Sequence, residues 1–232
     1  MTKPYFPISL DLTGRRCLII GGGHEALGKA RSLLEAGAQV HVISPVFLPE
    51  FADLAGAGKI TRSFSTCRPG CLKGHFLAFA CTSSEEINQE IAEEARRFGV
   101  LLNVVDKPDR CDFIMPAVTR HGSLTFAVST GGKSPAFARR IKEELAAQYG
   151  AGHSDFLDLL GDLRPLILAT SLSVQRRGEL FTRIVRSEAL ERLQAGDMAG
   201  TYALIIAILK EYGMPWPPEW STLSAPDQAI PS

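Results

Sequence analysis

Residues 16–43 narrow the choice of fold more than any other stretch of this chain. Arg16-Cys17-Leu18-Ile19-Ile20 is a short, nearly continuous apolar run, the pattern of a strand covered on both faces. Gly21-Gly22-Gly23-His24-Glu25-Ala26 follows at once. Ala26, Ala30, Leu33 and Leu34 then recur at helical spacing until Gly37, a natural residue just past a helix end. Gln39–Ile43 supplies a second strand and closes a βαβ unit. In that strand–turn–helix setting, Gly21-x-Gly23-x-x-Ala26 matches the glycine-rich dinucleotide fingerprint. Gly21 permits the tight turn, Gly23 lets backbone N–H groups approach a pyrophosphate, and the helix N-terminus adds partial positive charge. The expected pyrophosphate site is therefore Gly21, Gly22 and Gly23, with His24 and Glu25 in the first helical turn.

The fingerprint usually places a ribose-binding acid at the end of the second strand. This chain has Ser44-Pro45-Val46 there, and Glu50 is the nearest carboxylate. Ser44 is left to meet a ribose hydroxyl, flanked by Pro45 and Val46. No Lys or Arg lies between Ser44 and Phe51 to welcome a 2′-phosphate, so NAD is expected over NADP.

Strands and helices go on alternating. Residues 59–63 read as a strand, and Phe76 to Cys81 as a clearer one ending at Thr82, a further cofactor-facing candidate. Ser84 with Glu85 and Glu86 reads as the cap and acidic first turn of a helix that Gly99 closes. Residues 100–105 form another buried strand. This alternation predicts an α/β fold with a parallel, Rossmann-like sheet over residues 1–112. Asp106 falls at the C-terminal end of that last strand, where open α/β sheets bind their ligands. A carboxylate there can act as general base or metal ligand, or simply begin the Asp-Lys-Pro turn.

After Asp106 the texture changes. Phe113-Ile114-Met115-Pro116 re-enters the core, His121-Gly122 is a turn, and residues 123–129 alternate as a strand. Ser129-Thr130-Gly131-Gly132-Lys133-Ser134-Pro135 then opens a helix to about Gln148, and Pro135 suits its first turn. Lys133, Arg139, Arg140 and Lys142 add basic charge with no acid among residues 133–142, so this stretch is suited to a carboxylate-rich small molecule. Residues 113–150 are expected to form a small α/β dimerisation region. Residues 150–152 read as a linker, residues 151–214 as a helical domain, and the proline-rich residues 215–232 as a loosely held tail.

Lys and Arg total 25 and so do Asp and Glu, so no global field recruits nucleic acid. No apolar run reaches the ~18–20 residues a membrane span needs, and the N-terminus lacks the apolar core of a signal peptide. A cytoplasmic protein is expected, bound neither to membrane nor to nucleic acid. Its five cysteines (Cys17, Cys67, Cys71, Cys81, Cys111) are expected to be reduced thiols. Cys67 and Cys71 lack the second Cys/His pair that would make a metal site.

The glycine triplet with Ala26, Lys29 and Ala30, then Asn103-Val104-Val105-Asp106, Phe113-Ile114-Met115-Pro116-Ala117 and Ser129-Thr130-Gly131-Gly132-Lys133-Ser134-Pro135 occur in this order. Together they resemble the precorrin-2 dehydrogenase / sirohydrochlorin ferrochelatase family, which includes the N-terminal module of siroheme synthase. The resemblance implies a homodimer and NAD-dependent oxidation of precorrin-2 to sirohydrochlorin, a step of sirohaem biosynthesis. It makes Asp106 the leading catalytic candidate. In bifunctional members the matching aspartate also serves ferrous-ion insertion, so Asp106 is the metal-facing residue if this chain is a chelatase. Asn103, Arg120, Ser129, Thr130, Gly131, Gly132, Lys133, Ser134 and Arg139 are the substrate-binding candidates. The cations among them suit the eight carboxylates of precorrin-2.

The chain departs from the family where Glu25 stands in the first turn of the phosphate-binding helix. A carboxylate there repels phosphates unless it points away, which keeps a non-catalytic NAD(H)- or tetrapyrrole-binding sensor as the alternative. One family branch is modified on a serine in this glycine-lysine stretch. The matching residue here is Thr130, so no modification is carried over. The methyltransferase module of some relatives is expected to be absent.

Overall fold

The computed structural model describes residues 4–223. Its first compact unit comprises the described residues up to Met115, together with residues 131–133. Five strands, β1 (Arg16–Ile20), β2 (Gln39–Ile43), β3 (Ile60–Ser63), β4 (Leu77–Ala80) and β5 (Leu101–Val104), form a sheet in the order β3-β2-β1-β4-β5. All four pairings are parallel, with Arg16 beside Gln39 and Cys17 beside Leu77. This is the Rossmann-like sheet the alternating pattern predicts. Helix α1 (His24–Glu35) joins β1 to β2, α2 (Glu50–Gly56) precedes β3, and α3 (Glu85–Phe98) joins β4 to β5.

Alternation along β1 explains why its whole run is apolar. Cys17 and Ile19 pack into the cluster that holds Ala26, Ala30 and Leu33 of α1. Leu18 and Ile20 pack into the cluster that holds Ile91, Ala92 and Ala95 of α3. Each face is thus covered by a helix, as in strands buried on both sides. Helix α3 carries its expected ends. The Ser84 hydroxyl accepts the Ile87 N–H at 3.3 Å, and Gly99 closes the helix with a left-handed φ of +66°.

The second unit comprises residues 116–130 and the described residues from Ser134 on. It opens with an antiparallel hairpin of β6 (Ala117–His121) and β7 (Leu124–Val128), turned at Gly122, and α4 (Pro135–Gln148) follows. Then come α5 (Ala151–Leu168), α6 (Val174–Val185), α7 (Ala189–Gln194), α8 (Met198–Glu211) and α9 (Pro218–Leu223). Their core gathers Phe156, Leu163, Ile167, Leu180, Ile184 and Ile205.

The structure adds to several expectations and changes others. Compact packing within one copy of the chain divides it between Met115 and Pro116 and groups the hairpin and α4 with the helices. Gly150 caps α5 directly, leaving no linker over residues 150–152. The segment after residue 214 is not loose as far as Leu223: Trp220 is buried, its ring 4.9 Å from that of Tyr202. The rest of the expected tail, residues 224–232, lies outside the described residues. Cys67 and Cys71 form a disulfide, against the expectation of reduced thiols throughout, whereas Cys17, Cys81 and Cys111 are thiols.

Candidate dinucleotide and catalytic site

The turn after β1 is built by glycines that do different work. Gly21 has φ +128°, and a Cβ there would lie 2.4 Å from the Cys81 carbonyl oxygen. A Cβ on Gly22 would meet the Val46 carbonyl oxygen at 2.1 Å. Gly23 differs, because nothing lies within 4 Å of the position its Cβ would take. It begins α1 with extended backbone and no side-chain cap, which leaves first-turn N–H groups for a ligand.

These glycines line a cleft of about 460 Å³ at the C-terminal edge of the sheet. Residues 44–48, 65–67 and 81–83 complete the wall. Of the predicted cofactor contacts, the cleft therefore collects Gly21, Gly22, Gly23, Ser44, Pro45, Val46 and Thr82. It does not collect the side chains of His24 and Glu25, which are exposed and stand off its wall. Glu25 instead acts with burial, the larger cause, to push the Cys81 thiol up to about 12, against the pull of Lys29. A pyrophosphate at the turn is consistent with these features: an open approach at Gly23, an uncapped helix end and no acid on the wall.

Ser44 is placed as expected but spends its donor elsewhere. Its buried hydroxyl donates to the Val46 carbonyl at 2.6 Å, fixing the turn that abuts Gly22. Sequence reasoning missed Ser65, Thr66 and Cys67 on the wall. They come from the long connection before β4, which carries no motif.

Asp106 follows β5 at the same edge of the sheet. It is exposed, and it is the one non-glycine among the described residues with positive φ, +59°. Asp tolerates this left-handed conformation better than most residues, yet such outliers gather at functional sites. The returning chain holds the turn from beneath. Asn103 donates to the Phe113 carbonyl at 2.9 Å, Cys111 Sγ accepts the Val104 N–H at 3.2 Å, and Asp112 accepts the Leu102 N–H at 2.9 Å. Phe113 meets Phe79 edge-on at 5.5 Å. From the side, Glu85 pairs with Lys107 at 3.1 Å and with Arg110. The hydrogen bond of Lys107, with help from Arg110, holds the Glu85 carboxyl below the usual range. The Asp106 carboxylate itself makes no hydrogen bond or ion pair with a described residue. Asn103, a substrate-binding candidate, thus anchors this loop through its amide N–H.

The glycine-lysine stretch is also organised from within. Thr130 Oγ1 donates to the Ser134 carbonyl and accepts the Ser134 N–H, both at 3.1 Å. The Ser134 hydroxyl caps α4 by accepting the Phe137 N–H at 3.2 Å. Thr130 and Ser134, both substrate-binding candidates, thus close this turn and cap the helix. Gly131, Gly132 and Lys133 count with the first unit, that of Asp106, and both glycines have positive φ. Arg120, Ser129 and Arg139 belong to the second unit, and Lys133, Arg120 and Arg139 are exposed.

Two family models match the chain. A model for NAD(P)-binding regions covers residues 8–117, and one for the central part of sirohaem biosynthesis proteins covers residues 121–148. Siroheme synthase of Chromobacterium violaceum is 35% identical over 199 residues, 86% of this chain and 42% of that protein. Siroheme synthase 1 of Aeromonas salmonicida is 35% identical over 208 residues, 89% of this chain and 44% of its own length. The likeness to siroheme synthases thus runs over the residues that carry the glycine turn, Asp106 and the glycine-lysine stretch. The solved structure of SirC, precorrin-2 dehydrogenase, shares the fold, with a TM-score of 0.74 at 24% identity, covering 90% of this chain and 100% of that one. The chain spans less than half the length of the siroheme synthases it matches. The match over residues 8–117 gives a nicotinamide dinucleotide as the cofactor class.

Proposed function

We propose that this chain oxidises precorrin-2 to sirohydrochlorin with NAD as acceptor, as an early step toward sirohaem. The observation that carries this reading is Asp106, an unpaired carboxylate in a left-handed turn at the cleft edge of the sheet. Strand β4 separates β5 from β1, so at ~4.8 Å per strand Asp106 stands roughly 10 Å from the glycine turn. That is the span from a pyrophosphate toward a nicotinamide.

Bound NAD would supply the hydride acceptor. Gly21, Gly22 and Gly23 hold the pyrophosphate end, with Ser44, Pro45, Val46 and Thr82 along the adenosine arm. Oxidation removes a hydride and a proton from the macrocycle. Asp106 accepts that proton, or orients the macrocycle so that water does. Within the unit of Asp106, Lys133 is the cation for substrate carboxylates, with Gly131 and Gly132 next to it in the chain; Arg120, Ser129 and Arg139 are the substrate-binding candidates of the second unit. NAD is favoured because residues 44–51 contain no cation.

Ferrous iron as a second substrate rests on Asp106 alone, since among the described residues no three His, Cys, Asp or Glu side chains gather. We also assign the chain a homodimeric state and a cytoplasmic place. No helix of the described residues is long and apolar enough to cross a membrane. The test is an assay with precorrin-2 and NAD, following sirohydrochlorin absorbance with and without ferrous iron. Absorbance that grows only with NAD supports the dehydrogenase, and its consumption on adding iron above the enzyme-free rate adds the chelatase. No growth at all leaves the sensor reading.

A further inference from the structure

The adenosine half of a dinucleotide lies beyond the second strand, where a carboxylate usually takes the ribose hydroxyls. This cleft has none. The Ser44 hydroxyl is spent on Val46, and the next acid, Glu50, begins α2. What the cleft has instead comes from the neighbouring strand. In the β2–β3 register Val42 lies beside Arg62 and Ile43 beside Ser63, and the Ser44 N–H donates to the Ser63 carbonyl at 3.1 Å. The end of β3 therefore flanks the place where the ribose would lie, and Ser65 and Thr66 continue onto the cleft wall.

Arg62 is held there by two rings. Its guanidinium carbon lies 5.9 Å from the centroid of Phe47, which lines the cleft, and 5.0 Å from that of Phe64. The rings meet edge-on at 5.0 Å, and Phe64 is 67% exposed. Arg62 forms no ion pair or hydrogen bond with a described residue, so it is a cation oriented by aromatic contact and neutralised by no acid. A guanidinium held this way keeps its N–H fork free, and that fork matches a phosphate in two parallel hydrogen bonds.

We propose that Arg62 is a specificity-determining residue for the dinucleotide, placed to receive a 2′-phosphate at the adenosine end. The inference rests on the cofactor reading above and changes one consequence of it. The absence of a cation over residues 44–51 does not exclude NADP, because the next strand delivers one. The chain binds NADP within about tenfold of NAD.

Titration calorimetry on the full chain tests this with NAD, NADP, 2′,5′-ADP and nicotinamide mononucleotide as probes. Loss of a charge-assisted hydrogen bond is worth at least about tenfold in affinity. Arg62→Ala should weaken NADP and 2′,5′-ADP by that factor, weaken NAD about threefold or less, and leave nicotinamide mononucleotide unchanged. Arg62→Lys should recover part of the NADP affinity, as a point charge without the fork. The inference is overturned if Arg62→Ala moves NAD and NADP equally, or moves neither, or if the unaltered chain binds NADP far more weakly than tenfold below NAD. Failure of both dinucleotides to bind the unaltered chain would instead remove the cofactor reading itself, and this inference with it.

Discussion

A methyl group added at Gly21 or Gly22 runs into the Cys81 or Val46 carbonyl oxygen, whereas one added at Gly23 meets nothing. The same substitution should therefore separate folding from binding. Gly21→Ala and Gly22→Ala force backbone apart, a change of the overpacking kind that costs about 1–3 kcal/mol, and should lower the melting temperature. Gly23→Ala should melt like the unaltered chain yet lose dinucleotide affinity in calorimetry, because its methyl occupies the approach to the α1 N–H groups. Normal binding by Gly23→Ala would move the pyrophosphate elsewhere. Asp106 divides in a similar way. Its φ of +59° suits Asn as well as Asp, so Asp106→Asn should keep the melting temperature and the affinity for NAD. The loss of a general base should still slow precorrin-2 oxidation by ~10²-fold or more. Near-normal turnover would assign Asp106 to the turn alone. Asp106→Ala, which suits the left-handed region poorly, should in addition lose about 1 kcal/mol of stability.

The elements that were legible in the sequence are those whose burial leaves a period. β1 is an apolar run, β2 alternates Val40 and Val42 with Gln39 and His41, α3 has both caps written into it, and α4 starts at Pro135 behind its Ser134 cap. β6 left no such mark, because none of its residues is fully buried. α2 is only seven residues long and buries Phe51 alone. The site divides along the same line. The glycine turn and Asp106 are set by local backbone demands and can be read locally. Ser65 and Thr66 reach the cleft through a long connection, and strand register sets Arg62 against Phe47 of its wall, which no local pattern encodes. The Ser44 hydroxyl donates to a backbone carbonyl two residues on, a contact that its place in the sequence does not reveal. Register also brings together two histidines that sequence spacing keeps apart. His41 on β2 and His75 before β4 stack at 6.0 Å, and His41 Nε2 lies 2.9 Å from the Ser63 hydroxyl. Burial chiefly, and then Arg16, hold both imidazoles below the ordinary value of 6.5. A depressed histidine binds fewer protons folded than unfolded, so stability is full above pH 6.5 and falls as pH drops below it. The melting temperature should decline between pH 7 and pH 5.5, and His75→Gln should flatten that decline. An unchanged slope in the variant would place the titrating group elsewhere.

Across the whole molecule, the covered and the bare surfaces are unevenly shared. α3 and α4 are both 14 residues long, but α3 buries five residues and α4 only Ala138. The hairpin against which α4 packs has no fully buried residue in either strand, and among the described residues each strand pairs only with the other. A two-stranded sheet with open edges is marginal in water and invites further pairing. Phe137, on the first turn of α4, is 53% exposed. With 25 positive and 25 negative side chains, the chain has no net charge to keep copies apart. A second copy of the chain that presents the same hairpin and helix would cover these surfaces by a closed two-fold contact, which self-limits at two. Light scattering at micromolar concentration should therefore give twice the 25.1 kDa chain mass. Phe137→Asp would place a charge in that contact without touching a buried position of its own chain. It should shift the mass toward one chain while the β-sheet unit still binds NAD. A monomer from the unaltered chain, or a dimer indifferent to Phe137→Asp, would remove the hairpin and α4 from the interface.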